Sequence, residues 1–331
     1  MIKSLTLTRI GLAVALTLVT AAYGSDADSS SNASDDSTSG EANELPQIVV
    51  TTNIIGDLVT QTVGDLAEVE VIMPLGSDPH DFAPSARQAE SMENADLLVI
   101  NGAGFEEGML DIIESVQESG TPVFAFSDQI ELLESTGGHD EHSEEEGEHS
   151  EEASYDPHIW TDPSRMITAV EALEAELAEV VDVDAEALAS EADAYVAELT
   201  ALESEMEATL SSITDDQRVL VTNHEVFGYF ADRFDFEVVG AVIPSLSTNA
   251  EASASEIEEL AALITAEGIP AIFGETTQST QLAEALAAEV GSSVEIVLLY
   301  SESLGEPGSG AETYVEMMRT NGELISAALT T

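Results

Sequence analysis

Gln47-Ile48-Val49-Val50-Thr51-Thr52-Asn53 is a β-branched run, and together with its downstream neighbours it decides the class of fold. An amphipathic stretch around Ile54, Leu58 and Val63 comes next, then a second strand-like run over 69–73. Strand, helical face and strand in that order make a β-α-β unit. The alternation continues outward, with a helix expected over 84–94, a strand over 96–101, a helix over 105–118 and a strand over 121–126. Strands alternating with helices of about 10–15 residues predict a parallel sheet covered on both faces.

Residues 128–156 interrupt the pattern, and a helix over 164–181 resumes it. From 184 to 213, apolar residues fall at Leu188, Ala192, Tyr195, Leu199, Leu202, Met206, Leu210 and Ile213. Steps of three and four keep them on one helical face, and ~30 residues at ~1.5 Å each reach roughly 45 Å. Such a helix can bridge two lobes, and it also fits an ordinary cover helix. The remainder repeats the first plan: strands over 218–222, 236–243, 271–274 and 294–299, helices over 225–233, 253–266, 280–290 and 312–329. The expectation is an α/β protein of two parallel-sheet lobes, 46–183 and 214–331, with 184–213 between them.

Seven basic residues against 66 acidic ones give a formal charge of -59, which repels nucleic acid and anionic headgroups. The acids are spread along most helices, as solvated faces suited to a salty medium are. With no Cys, disulfides and thiolate metal ligands are excluded. Residues 1–22 carry Lys3 and Arg9, then the apolar Ile10-Gly11-Leu12-Ala13-Val14-Ala15-Leu16-Thr17-Leu18-Val19 and small residues, which reads as a secretory signal. Residues 23–45 are rich in Ser, Asp, Asn and Gly and read as a disordered linker. The junction looks like a lipoprotein processing site, yet Tyr23 stands where a lipid-bearing Cys belongs, so acylation there is chemically impossible.

Chemistry is concentrated in Asp156-Pro157-His158-Ile159-Trp160-Thr161-Asp162-Pro163, where two Asp-Pro turns bracket one His and the only Trp. Pro157 stiffens the turn that presents His158, while Asp162 and Pro163 suit the N-cap and first position of the next helix. A second such tripeptide, Asp78-Pro79-His80, lies upstream in a chain of six His. Ligands of open α/β sheets bind outside the carboxyl ends of the strands. His80, His158, His224 and Glu302 all fall in loops of that kind, and together they offer three imidazoles and a carboxylate, a set that suits zinc and also manganese or ferrous iron. Taken singly, His224 also fits a packed histidine at a helix start, and Glu302 a solvated loop acid. Glu275, at another strand end, competes with Glu302 and fits either a ligand or a group that supports one. The acidic stretch bearing His139, His142 and His149 reads as a plain solvated loop or as a weak auxiliary metal collector.

These motifs resemble the metal-binding substrate-binding proteins of bacterial ABC uptake systems for zinc and manganese. The likeness rests on Gly76-Ser77-Asp78-Pro79-His80-Asp81-Phe82-Ala83-Pro84, on 156–163, on His224-Glu225-Val226-Phe227-Gly228-Tyr229-Phe230, and on Glu302-Ser303-Leu304-Gly305 with Thr313-Tyr314 and Met317-Met318. It implies two α/β lobes joined by one rigid long helix, with the metal in the cleft. It also implies His80, His158, His224 and Glu302 as ligands, Glu302 standing where the family usually has Asp. Manganese-type relatives tend to carry a carboxylate at the position of His224, and a His-bearing insertion is a zinc-type trait. The resemblance therefore implies an exported zinc carrier that serves a membrane permease, without enzymatic activity and as a monomer, with manganese the alternative. A metal-dependent adhesin and a zinc hydrolase are the other readings, the latter lacking a His-Glu-x-x-His helix.

Overall fold

The computed structural model describes residues 45–134, 155–291 and 294–330. The signal, the linker up to residue 44, Tyr23 and the histidines His139, His142 and His149 lie outside the described residues. Among those described, eight strands form two parallel four-stranded sheets. In the first, β1 (Gln47–Val50) lies between β2 (Glu68–Val71) and β3 (Leu97–Ile100), and β4 (Val123–Ala125) flanks β3. The second repeats the order: β5 (Val219–Thr222) lies between β6 (Glu237–Ala241) and β7 (Ala271–Glu275), with β8 (Glu295–Leu299) outside β7. Register is regular in the first sheet, Ile48 facing Val69 and Leu97. In the second a bulge between Leu220 and Val221 sets Leu220 against Val238 but Val221 against Gly240.

Nine helices cover the sheets: α1 (Asn53–Val63), α2 (Ala86–Glu93), α3 (Leu110–Ser119), α4 (Pro163–Val180), α5 (Ala185–Leu210), α6 (Gly228–Phe234), α7 (Ala254–Glu267), α8 (Gln281–Val290) and α9 (Tyr314–Leu329) among the described residues. Pleating divides β1, β3, β5 and β7 between two cores each. Val49, Leu98 and Ile100 meet Met92 of α2 and Ile113 and Val116 of α3. Val221 and Ile272 likewise meet Leu260 and Ile264 of α7 and Leu286 of α8. The opposite faces, including Ile48, Val50, Leu97, Val99, Leu220 and Phe273, join one core with α1, α4, α5, α6 and α9. Burial on both faces is why β1 and β3 read as continuous apolar runs.

Helix α5 begins at an Asp184 cap whose carboxylate accepts from the amides of Glu186 and Ala187 at 3.0 and 3.2 Å. Its 26 residues span roughly 39 Å. The buried stripe is the one expected, Leu188, Ala192, Tyr195, Leu199, Leu202, Met206 and Leu210. Ile213 is buried in the turn beyond, so the helix ends three residues short of the expectation. The stripe packs on α1, α4 and α9. Full burial of Leu199 and Leu202 contributes about 1.5–3 kcal/mol each.

Two other expected helices start late because backbone groups are used otherwise. Residues 225–227 are loop rather than helix, the Glu225 amide bonding the Ser245 carbonyl and that of Val226 the His224 carbonyl. The helix expected from 105 begins as a 3₁₀ turn, Glu107–Met109, while the Glu106 side chain accepts the amides of Asn101 and Gly102. Helix α9 starts at Tyr314, whose amide bonds Asp57 of α1, with Thr313 as cap. No helix among the described residues is long and apolar enough to cross a membrane.

Candidate metal centre

Local chain chemistry builds the first two donors in the same way. In each Asp-Pro-His, the Asp carboxylate accepts the amide of the His two residues on, Asp78 Oδ1 to His80 and Asp156 Oδ1 to His158, both at 2.9 Å. Proline between them carries no N–H and fixes φ, so each turn is closed by the side chain alone. Asp162 then caps α4, accepting the Ser164 amide at 2.8 Å with Pro163 in the first turn, as expected from the sequence. His224 leaves the end of β5, where the Thr222 hydroxyl holds its carbonyl at 2.7 Å. Glu302 comes after β8.

The fold brings all four together. One potential ligand atom from each of His80, His158, His224 and Glu302 lies within 4.8 Å of every other, and each residue is at most 2% exposed. Glu302 Oε1 is 2.9 Å from His80 Nε2, 3.3 Å from His224 Nε2 and 3.9 Å from His158 Nε2. The Nε2 atoms of His158 and His224 are 3.3 Å apart. Four donors at ~2.0–2.1 Å around a tetrahedral zinc are separated by roughly 3.3 Å, and the four separations just given scatter around that value, from 2.9 to 3.9 Å.

Each ring is aimed by a carboxylate on its other nitrogen. Glu107 Oε1 holds His80 Nδ1 at 2.9 Å, Asp156 Oδ1 holds His158 Nδ1 at 2.7 Å, and Glu275 Oε1 holds His224 Nδ1 at 2.5 Å. A carboxylate on Nδ1 fixes the tautomer that leaves the Nε2 lone pair free, the arrangement found behind metal-ligating histidines. Glu275 is thereby placed behind His224, its other oxygen taking the Ser301 hydroxyl at 2.8 Å, so Glu302 is the carboxylate that faces the imidazoles. Both Glu302 oxygens and His80 Nε2 lack a hydrogen-bond partner, the 2.9 Å approach between them having the distance but not the direction of a hydrogen bond. A fully buried carboxylate without donors is costly by several kcal/mol unless a cation faces it.

Electrostatics divide the three rings. At His80, burial pushes the imidazole pKa down, but the neighbouring Glu302 carboxylate, helped by Glu107 and opposed by His224, carries it above its ordinary value. Burial acts likewise on His224 and is outweighed by Glu275 and Glu302, which raise it well above that value. For His158 burial prevails over Asp156, and the ring stays below it. Burial would raise Glu302, yet His224 and His80 hold it well below the carboxylate range.

The His158 turn is braced from inside. Asn101 Nδ2 donates to the Pro157 carbonyl at 2.9 Å, Tyr229 Oη to the Asp156 carbonyl at 2.8 Å, and Trp160 Nε1 to the Ser301 carbonyl at 2.7 Å. Gly228 opens α6 against Asp156, where a Cβ would run into the carboxylate. Sequence reasoning missed Glu107 and the orienting role of Asp156, and left Glu275 open between a ligand and a group behind one. Asp156 alone left a local signal, its place two residues before a histidine.

Comparison with known proteins places these features in context. The family model described as zinc-uptake complex component A, periplasmic, matches residues 48–328. The chain is 31% identical to the zinc-binding protein TroA of Treponema pallidum, over 87% of this chain and 90% of that protein. It is 28% identical to the manganese-binding lipoprotein MntA of Halalkalibacterium halodurans, over 89% and 92%. The fold is similar to that of the periplasmic zinc-binding protein TroA from Treponema pallidum, with a TM-score of 0.76 at 31% identity, covering 87% of this chain and 100% of that one.

Proposed function

We propose, from the premise that the chain belongs to the periplasmic zinc-uptake complex component A family, that it captures a divalent cation outside the membrane and hands it to an ABC permease. His80, His158, His224 and Glu302 hold the ion, which is cargo. One observation carries this reading: the buried Glu302 carboxylate, both oxygens without a partner, faces three imidazoles whose other nitrogens are tied back. Three imidazoles and one carboxylate favour zinc. The zinc-binding name of a relative at 31% identity points the same way.

Manganese is the second reading, because both oxygens of Glu302 are free to bind and a two-oxygen contact raises the oxygen share of the site. Hydrolysis has less support. Glu107, Asp156 and Glu275 are each engaged by an imidazole, which leaves none of the three free as a general base toward a metal-bound water. We therefore read the chain as a non-enzymatic carrier, exported by residues 1–22, not acylated at Tyr23, monomeric and without affinity for nucleic acid. Residues 46–183 and 214–331 act as lobes that 184–213 joins stiffly.

Calorimetric titration tests the site. Zinc should bind tightly at one equivalent, and that binding should be strongly weakened in His80→Ala, His158→Ala and His224→Ala; wild-type affinity in all three would overturn the assignment. For the ion, His224→Ala should weaken zinc binding more than Glu302→Ala. Rescue of metal-starved cells lacking this protein by manganese, and not by zinc, would transfer the assignment to manganese.

A further inference from the structure

Asn249, in the segment between β6 and α7, reaches from the second sheet's loops to those of the first. Its Nδ2 donates to the carbonyl oxygen of His80 at 3.0 Å and to Glu107 Oε2 at 3.2 Å. Glu107 Oε1 in turn holds His80 Nδ1. A single amide thus fixes both the backbone of His80 and the carboxylate that aims its ring. The neighbouring Thr248 hydroxyl donates to Asp78 Oδ2 at 2.7 Å, and Gln278 Nε2 bonds the same oxygen. Asp78 Oδ1 meanwhile closes the His80 turn. The segment is itself shaped by serine hydroxyls, the Ser247 amide bonding Ser245 Oγ and the Asn249 amide bonding Ser247 Oγ.

We propose that Asn249 is a positioning residue for His80, and that the strap 247–249 with Asp78 is the latch that parts when the cation enters or leaves. The proposal rests on the reading of the four donors as the cation site. Because those donors are at most 2% exposed, exchange requires one of them to swing out. Moving His158 breaks its buried bond to Asp156 in a turn that Asn101 holds at the Pro157 carbonyl and Tyr229 at the Asp156 carbonyl, and moving His224 breaks a buried bond to Glu275. The Glu107 side chain is 37% exposed, against 7% for Asp156 and 1% for Glu275. Only the His80 support stands at the surface, where water replaces each bond as it opens. Among the three imidazoles His80 is therefore the one that moves, and the bonds made by Asn249 set how readily it does so.

The experiment measures zinc release from the full chain into an excess of chromophoric chelator by stopped flow, for wild type, Asn249→Ala, Asn249→Asp and His80→Ala. Loss of a group that orients a metal-bound histidine costs about ten- to a hundredfold. Release from Asn249→Ala should be faster by about that factor, and from Asn249→Asp faster still, since its carboxylate brings no donor and stands against Glu107. A merely structural role would not give the same ranking or move the absorption spectrum of the bound Co2+ ion toward that of His80→Ala. In the His80→Ala background, Asn249→Ala should add nothing. Thr248→Val offers an independent probe and should also quicken release. Wild-type release from all three strap variants, with His80→Ala still fast, overturns the latch and leaves the cation site standing. Release unchanged in His80→Ala itself removes the site, and the latch with it.

Discussion

Asp78-Pro79-His80 and Asp156-Pro157-His158 are one tripeptide used twice, with the same carboxylate-closed turn and the same 2.9 Å bond to the histidine amide. Beyond the turn they diverge. Asp156 also takes the ring of its own His158, and the whole turn is sealed by Asn101, Tyr229 and Trp160. Asp78 leaves the ring of His80 to Glu107 and turns its second oxygen to Thr248 and Gln278, from the other sheet's loops. Local sequence thus dictates the turn, while the partner of the ring depends on what the fold brings within reach. One histidine becomes part of the core and the other part of the seam between two sets of loops.

The comparison is broken most directly by removing the two aspartates in turn. Asp156→Ala strands two buried donors of His158, so zinc affinity should fall by about ten- to a hundredfold and metal-free stability by about 1–3 kcal/mol. Asp78→Ala leaves the ring of His80 on Glu107 and should cost less on both counts. Calorimetry and urea denaturation measure the pair, and equal losses would mean that the turns are equivalent after all. Next in size is Gly228→Ala, which pushes a methyl group toward the Asp156 carboxylate. Such overpacking costs about 1–3 kcal/mol, seen as a lower urea midpoint, and it should also weaken zinc binding through His158.

Acid sharpens the contrast further. His80 and His224 titrate above the ordinary value of 6.5 and His158 below it. Zinc must displace the protons of the first two, so its affinity should rise with pH through and above ~6.5, and the heat of binding should vary with the ionisation heat of the buffer. In the metal-free chain, the stability that His80 contributes is full below ~6.5 and is lost as pH climbs through its raised value. That of His158 runs oppositely, present above ~6.5 and lost as pH falls through its lowered value. Imidazole resonances tracked by NMR separate the two; His158 titrating above His80 would contradict the assignment.

The smallest effect should come from deleting 139–152. An isolated bridge between Glu134 and Tyr155 closes the base of that segment, and the Leu133 carbonyl accepts the Asp156 amide, so the second turn is anchored on its own side. Tight zinc binding at one equivalent should persist in calorimetry, whereas its loss would move the site into the insertion.

Much of this is legible in the chain. The β-branched runs mark the strands within a few residues, and the stripe from Leu188 to Leu210 is the buried face of α5. Helix starts are less legible at 225 and 105, because the amides of Glu225 and Val226 bond the Ser245 and His224 carbonyls and those of Phe105 and Glu107 close turns on Gly102 and Phe105. His80, His158, His224 and Glu302 are legible as loop residues at strand ends. Glu107 is not, since it lies beside Glu106 in a stretch whose pattern gives no sign that one acid is buried at β1 and the other faces His80.

By itself the sequence determined the local terms: strands buried on both faces, an amphipathic long helix, and aspartates that close Asp-Pro-His turns. Those arise from interactions over a few residues, side-chain periodicity and the missing N–H of proline. Which carboxylate orients which imidazole, that Glu302 and not Glu275 meets the three imidazoles, and that Asn249 spans to His80 were decided only in the tertiary structure. Each joins groups far apart in the chain, 51 residues for Glu275 and His224 and 169 for Asn249 and His80. No local preference encodes such a pairing; it exists once the packing of the two sheets has fixed where their loops meet.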